Sequence, residues 1–548
     1  MKSRRESETA QVRAVFRNIP WWILGVLLVA ALGAWHMKNV RAGVLESKDT
    51  FLYSWYNLLI VCSVIVTGAA GWLFFRKKAA LEMVFAVCVL ALGSMYLAVL
   101  APLSAPDEVS HFITAYRLAN TIMGQPAADE NGHVYIRTQD AFVLDTDLAP
   151  GESLAAQEES KDTQVLGQTL TEHTYRKIHD TGLWGTGEEE METTVKPPVE
   201  TTPLAYLPQA LGIVLGRLLG FGGLGLLYLG RFGNLLFFTA ASWYAMKRLP
   251  FGKEVLFGVA LLPMTLHLAA SFSYDAIILC LSFVFTAVTL QLTYGAGDVR
   301  KRDVALMAAV MGVLGPCKMI YGVLLGLCLL VPVKKFGNRR NWVLSAAAVL
   351  GVYAAAMVLV NSQTIVQYAA ETESFVGWAG ESGYTFEWVV HNPIKTLRIF
   401  YNTLLEKGDY YHLTMMGNWL GNLDQVLDVP YLLILAMTFV LFFLAMKKPG
   451  GETVYLTGSR RAWTLFLCAA CAGAAMLSMF IAWTPASSKI VMGVQGRYFL
   501  PILPVFLMAL KNNWIVLTKN RDRELLYFLV CVNGYVLLRL FSIVSIRI

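Results

Sequence analysis

Two carboxylates and an imidazole stand together in the run Ser104-Ala105-Pro106-Asp107-Glu108-Val109-Ser110-His111-Phe112. The run follows directly on an apolar stretch long enough to cross a bilayer. Pro106 suits the first turn of a helix, where its missing N–H would have no partner in any case. From that start Asp107 and His111 are four residues apart and Glu108 and His111 three, so all three can share one helical face. A carboxylate and an imidazole so placed can take and give protons, the chemistry of general acid–base catalysis on a lipid-linked substrate. The same residues also fit structural roles. Ser104-x-x-Asp107 has capping-box spacing, a carboxylate near a helix N-terminus is stabilised there without catalysis, and His111 fits a polar residue at an interface.

Other charged groups near apolar runs need a reason to be there. Lys318 follows Gly315-Pro316-Cys317 in the break of an apolar run, where a lysine either snorkels to an interface or meets an anion, with Tyr321 close by in sequence. Arg497 stands in Gln495-Gly496-Arg497-Tyr498-Phe499-Leu500-Pro501 at the start of a short apolar run; a guanidinium there is shaped to hold a phosphate bidentately or to anchor at the interface. Ser271-Phe272-Ser273-Tyr274-Asp275 forms a tight turn between two spans, where Ser273 or Asp275 fits a helix cap. Arg231 and His267 are further candidates. Taken together, Asp107, Glu108 and His111 are candidate catalytic groups. Arg497, Lys318 and Arg231 are candidate phosphate ligands, and Asp275, Tyr274, Tyr321, Gln495 and Tyr498 are candidate pocket residues.

The elements that must position these groups are membrane spans. The 548 residues are 56% hydrophobic and 15% charged, with a mean hydropathy of +0.53, which excludes an ordinary soluble domain. Runs of the required length are Trp21–Met37, Trp55–Phe75, Leu81–Leu103, Leu226–Met246, Val255–Ala270, Ala276–Tyr294, Trp342–Val360, Pro430–Met446, Ala462–Trp483 and Leu525–Ile546. Val304–Val333 is too long for one span and reads as two short helices broken at Gly315-Pro316; Tyr498–Leu510 is another short one. The fold expected is an all-α polytopic membrane protein of about 13 crossings.

The net charge of +7 is concentrated in alternate loops. Basic groups recur at Arg4, Arg5, Arg13 and Arg17, at Arg76–Lys78, at Lys247 and Arg248, and at Arg300–Arg302. They return at Lys334–Arg340, at Lys447, Lys448, Arg460 and Arg461, and from Lys511 to Arg523. The positive-inside rule assigns these loops and the N-terminus to the cytoplasm. Two inserts, 104–203 and 361–429, then face outward, with membrane segments over 1–103, 204–360 and 430–548. Leu204–Phe221 reads as an interfacial or re-entrant helix, because a full crossing would put Lys247 and Arg248 outside. The basic start and long first span read as a retained anchor in the plasma membrane, with the site on the extracytoplasmic face.

The first insert is acidic (Asp140, Asp145, Asp147, Glu158, Glu159, Glu188-Glu189-Glu190-Met191-Glu192) and reads as a solvated, partly mobile loop. With His173 and His179 it is also a possible metal cluster. The second is aromatic (Tyr368, Phe375, Trp378, Tyr384, Trp388, Tyr401, Tyr410, Tyr411, Trp419), as interfacial anchors or surfaces for sugar rings are. The eight cysteines all lie in apolar runs, so no disulfide framework is expected, and Cys468-x-x-Cys471 reads as helix packing. No dedicated metal site is evident, though a divalent cation could bridge Asp107 to a phosphate. No Rossmann fingerprint or P-loop is present, and no nucleic-acid partner is indicated.

The order Pro106-Asp107-Glu108-x-x-His111-Phe112 after a span, then Ser273-x-Asp275, then Gln495-Gly496-Arg497-Tyr498-x-x-Pro501 resembles the bacterial membrane family catalogued as domain of unknown function 2142, over nearly the whole chain. That family is similar to the C-type (GT-C) membrane glycosyltransferases. Asp107-Glu108-Val109 with His111-Phe112 also resembles the Asp-Glu-Val-His-Phe signature of protein O-mannosyltransferases. Here Ser110 is inserted, which changes the helical phase of His111. The resemblance implies that Asp107 is the base, that the donor is a sugar on a polyprenyl phosphate, and that the acceptor is an extracytoplasmic glycan, lipid or protein, with inversion at the anomeric carbon. Arg497 and Lys318 would then stabilise the leaving phosphate, and Glu108 would hold or tune Asp107. A transporter or flippase of lipid-linked sugars would use the same topology but favour internal inverted repeats. A polysaccharide polymerase would share the chemistry, and an assembly scaffold would leave the clustered charges unexplained.

Overall fold

Among the described residues, eight helices are long and apolar enough to cross a membrane: Trp22–Ser47, Phe51–Arg76, Leu81–Val99, Gly223–Arg248, Asp275–Tyr294, Arg339–Ser362, Gly458–Trp483 and Asp522–Val544. A computed structural model describes residues 20–144, 166–187, 190–194, 196, 198–370 and 374–547, without the side chains of 363 and 367–370. Each of the eight falls on a run of the expected length. The other expected crossings are short or broken. Val255–Ala270 divides into Lys253–Ala260 and Pro263–Ala269, since Pro263 has no N–H to continue the ladder. Pro430–Met446 keeps only the helix Tyr431–Ala445. Tyr498–Leu510 divides into Gly496–Phe499 and Leu503–Leu510. Val304–Val333 does split, but at Lys318 rather than at Pro316. Pro316 still lies inside the helix Lys301–Cys317, and Lys318 is extended before a 3₁₀ stretch, Met319–Leu330.

Burial separates centre from periphery. The helix Asp275–Tyr294 is 89% buried in its most apolar window and Arg339–Ser362 only 11%. The apolar face of the latter is therefore left to lipid. The stretch Leu204–Phe221 holds a helix shorter than a membrane span. Its helix, Leu207–Leu218, rises only about 18 Å and runs back along Gly223–Arg248. Gly212 and Gly233 allow that approach: a Cβ on either would overlap the Leu229 or Pro208 carbonyl of the opposing strand of the pair.

The basic loops gather at one end. Lys253 pairs with Glu82, Arg248 with Asp303, Lys448 with Asp522 and Lys511 with Glu452. Arg523 donates to the Phe74 and Ala79 carbonyls. Arg4, Arg5, Arg13 and Arg17 lie outside the described residues.

Among the described residues the inserts carry three two-stranded antiparallel ribbons: Tyr135–Arg137 with Met191–Thr193, Phe375–Val376 with Glu381–Ser382, and Trp419–Leu420 with Asp424–Asp428. The first insert is more organised than a solvated loop. Asp140 is fully buried, accepts from Tyr116 Oη at 2.7 Å and pairs with Arg137 at 2.8 Å. Asp145, Asp147, Glu158, Glu159, Glu188 and Glu189 lie outside the described residues. In the second insert Tyr384, Trp388 and Phe400 pack on Phe480 of the helix Gly458–Trp483, so much of its aromatic content is internal packing. Cys471 donates to the Ile320 carbonyl, and the eight cysteines are free thiols.

Candidate functional site

The helix of the acidic motif begins at Glu108, two residues later than the Pro106 start expected. Residues 105–108 form a turn instead, closed by Glu108 N–H to the Ala105 carbonyl at 3.1 Å. Pro106 sits at its second position and Asp107 at its third, with φ +58° and ψ +15°. That is type II geometry, which places the third residue in the left-handed region where glycine or asparagine is usual. Aspartate there costs about 1 kcal/mol. The three acid–base candidates consequently do not share one face. The Asp107 side chain is 70% exposed, whereas Glu108 and His111 are buried. The expected capping box is not formed, since Asp107 makes no side-chain cap bond and Ser104 Oγ has no partner.

Asp107 heads a chain of ion pairs that joins four segments. Its Oδ2 lies 3.3 Å from Arg497 Nη2, and Arg497 Nε lies 3.3 Å from Asp275 Oδ2. Asp275 Oδ1 in turn accepts from Lys318 Nζ at 2.9 Å. Lys318 Nζ sits 4.2 Å above the ring of Tyr498 and 5.4 Å above that of Tyr274, a cation–π cradle. Tyr321 Oη donates to the Tyr498 carbonyl at 2.9 Å. The capping question at Asp275 is also resolved: Ser273 Oγ accepts the Asp275 N–H at 3.2 Å, which leaves the Asp275 carboxylate to the two cations. Arg497 is buried, yet its Nε and Nη1 have no hydrogen-bond acceptor, and neither has Gln495 Oε1 a donor.

Glu108 and Arg231 lie behind this chain, fully buried. Glu108 accepts the N–H groups of Ala105 at 2.8 Å and Phe272 at 2.9 Å, and its Oε1 lies 3.3 Å from Arg231 Nε. Arg231 also donates to the carbonyls of Ala270, Leu97 and Leu100. The pair ties the ends of three helices together, and in this arrangement neither side chain reaches the exposed face of Asp107. His111 Nδ1 is 2.6 Å from Tyr206 Oη, and its ring meets Tyr274 edge-on at 5.1 Å. Burial holds this imidazole down to about 4, against the pull of Asp107 and Asp275, so it is neutral at ordinary pH. His267 serves packing, with Nε2 against the Gly421 carbonyl.

Several positioning residues escaped the sequence reading. Gln209 and Asn234 fix the 271–273 turn by donating to the carbonyls of Phe272, Ser271 and Ser273. Asn234 stands three residues after Arg231, a polar pair on one helical face that was legible. Thr414 Oγ1 accepts the Gly496 N–H at 2.9 Å, and a Cβ at Gly496 would overlap the Tyr411 carbonyl. Only glycine lets the Arg497 segment lie this close to the helix Pro393–Met416.

No group of three or more His, Cys, Asp and Glu side chains able to hold a metal ion occurs among the described residues. His173 lies by Glu172, while His179 pairs with Asp180 and stacks on Phe51.

The sequence model of a family described as predicted membrane protein (DUF2142) matches residues 90–506. No curated protein matches, and no solved structure does.

Proposed function

We propose, from the premise that the chain belongs to the DUF2142 family of predicted membrane proteins, that it is a membrane glycosyltransferase. In this reading it moves a sugar from a polyprenyl-phosphate carrier to an extracytoplasmic acceptor, a cell-envelope glycan, glycolipid or protein. The observation that carries the reading is the pairing of an outward, uncapped Asp107 with a buried Arg497 whose Nη1 has no acceptor, its Nε and Nη2 facing Asp275 and Asp107. A buried guanidinium with spare N–H groups is short of an acceptor, and a phosphate supplies one.

The acceptor hydroxyl attacks the anomeric carbon and its proton passes to Asp107. The bond from that carbon to the phosphate oxygen breaks on the opposite face, and its electron pair leaves with the polyprenyl phosphate, inverting the configuration. Arg497 and Lys318 stabilise the charge gathering on that phosphate. The Asp107–Arg497 contact is long and its carboxylate side lies largely in solvent, so it is readily exchanged. A phosphate arriving at Arg497 would displace it and free the carboxylate. Tyr274, Tyr498, Tyr321 and Gln495 line the place where donor and acceptor meet. Glu108, Arg231 and His111 act as positioning residues. A GT-C-like fold of about 13 crossings, with the basic end cytoplasmic and the site outside, is the arrangement this reading requires.

The reading is tested by binding of a short-chain polyprenyl phosphate to the detergent-purified protein. Arg497→Gln and Arg497→Lys are expected to weaken it about tenfold or more, and Asp107→Asn to leave it within about twofold. Unchanged binding in folded Arg497 variants would contradict the assignment.

A further inference from the structure

At the basic end, far along the chain from Asp107, lies an apolar cavity of 270 Å³. Leu292, Val304, Leu325, Phe336, Trp342 and Val349 are among its walls, which are almost wholly hydrocarbon. An engineered apolar cavity of about 150 Å³ admits benzene, so this one has room for a chain segment of roughly ten carbons. It lies between the peripheral helix Arg339–Ser362, the helix Lys301–Cys317 and the 3₁₀ stretch Met319–Leu330. The 3₁₀ geometry is seldom sustained beyond three or four residues. A hydrocarbon chain beside it would supply packing that the protein itself leaves out.

The cavity's walls run into the basic loops. Val304 follows Arg300–Arg302, Phe336 follows Lys334 and Lys335, and Trp342 follows Arg339 and Arg340. Lys301, Arg302, Lys334, Arg339 and Arg340 are exposed, and none has an ion pair among the described residues. The nearest acid in sequence, Asp303, is taken by Arg248. An apolar slot whose walls adjoin exposed, unpaired cations along the chain matches a molecule with a hydrocarbon tail and an anionic head. We infer that this cavity binds an anionic phospholipid of the bilayer, with one acyl chain in the slot and the phosphate headgroup on the Lys334–Arg340 cations.

The test is competitive lipid retention, read by native mass spectrometry on the full-length protein released from vesicles of equal phosphatidylglycerol and phosphatidylcholine with identical chains. Wild type should retain phosphatidylglycerol in preference, by roughly fivefold for each cation engaged. Lys334→Gln, Arg339→Gln and Arg340→Gln combined should bring the ratio to about one. Ala346→Phe, which fills the slot, should lower retention of both lipids. The triple variant changes only exposed side chains and decides the matter if Ala346→Phe fails to fold. Equal retention of the two lipids by wild type, or a preference that survives the triple variant, would overturn the inference. So would polyprenyl phosphate displacing phosphatidylglycerol at equal concentration, since the occupant would then be the isoprenoid.

Discussion

Asp107 is held in a backbone conformation that aspartate tolerates poorly, and its side chain is not used to offset that strain by capping the helix it precedes. Strain of this kind persists where something other than stability has fixed the residue. Asp107→Gly should raise the thermal stability of the purified protein by about 1 kcal/mol and abolish transfer. A loss of stability instead would mean that the carboxylate holds the fold through Arg497. Asparagine suits the left-handed region about as well as any residue after glycine, so Asp107→Asn isolates the loss of the base from the backbone. The identity of the acidic cluster was legible in the sequence, but the division of labour within it was not. A periodicity argument assumes that the helix has begun by Asp107. The type II turn delays it to Glu108, sending Asp107 outward and Glu108 inward.

At the scale of elements, Glu108 and Arg231 act as a buried knot between helix ends, and the loss of one partner strands the other. Glu108→Ala should cost about 3–5 kcal/mol, read as loss of monodisperse protein after solubilisation. Normal folding with lost transfer would instead give Glu108 a direct part in the chemistry. The first insert docks through a second knot, in which Arg176 bridges Asp49, in the turn before the helix Phe51–Arg76, and the fully buried Glu172. Burial and then the neighbouring Asp49 raise the Glu172 carboxyl to about 7. Asp49 is held low, burial being outweighed by its bonds to Glu172 and Arg176, and so titrates below that range. Because the folded state holds the Glu172 proton more tightly than the unfolded chain does, stability should fall as pH rises from about 4.5 to about 7. Melting should drop by about 2–4 °C across that window, and Glu172→Gln should flatten the drop. A drop that persists in Glu172→Gln would place the titration elsewhere. This knot was invisible in the sequence, because Asp49 and Glu172 are far apart and each looks like an ordinary surface acid.

Over the whole molecule, hydropathy located the spans well, because a helix that must bury its backbone in lipid has to be long and apolar. It located breaks less well. The helix Lys301–Cys317 runs two residues past the first break expected: Pro316 lacks the N–H that would bond back to residue 312, and the chain turns extended at Lys318, whose side chain pairs with Asp275. The basic loops that alternation groups together, those of Arg248, Lys448 and Lys511, do lie at one end. The chain of ion pairs through Asp107, Arg497, Asp275 and Lys318 spans more than half the sequence and brings together four motifs singled out separately. Convergence of that kind is what a reaction centre needs and what a scaffold does not. The most direct measurement is the envelope sugar composition of a strain lacking this protein, complemented by wild type or by Asp107→Asn at matched membrane levels. Restoration of a missing sugar by wild type alone is the expected result. Restoration by both would contradict Asp107 as the base and the transfer chemistry built on it.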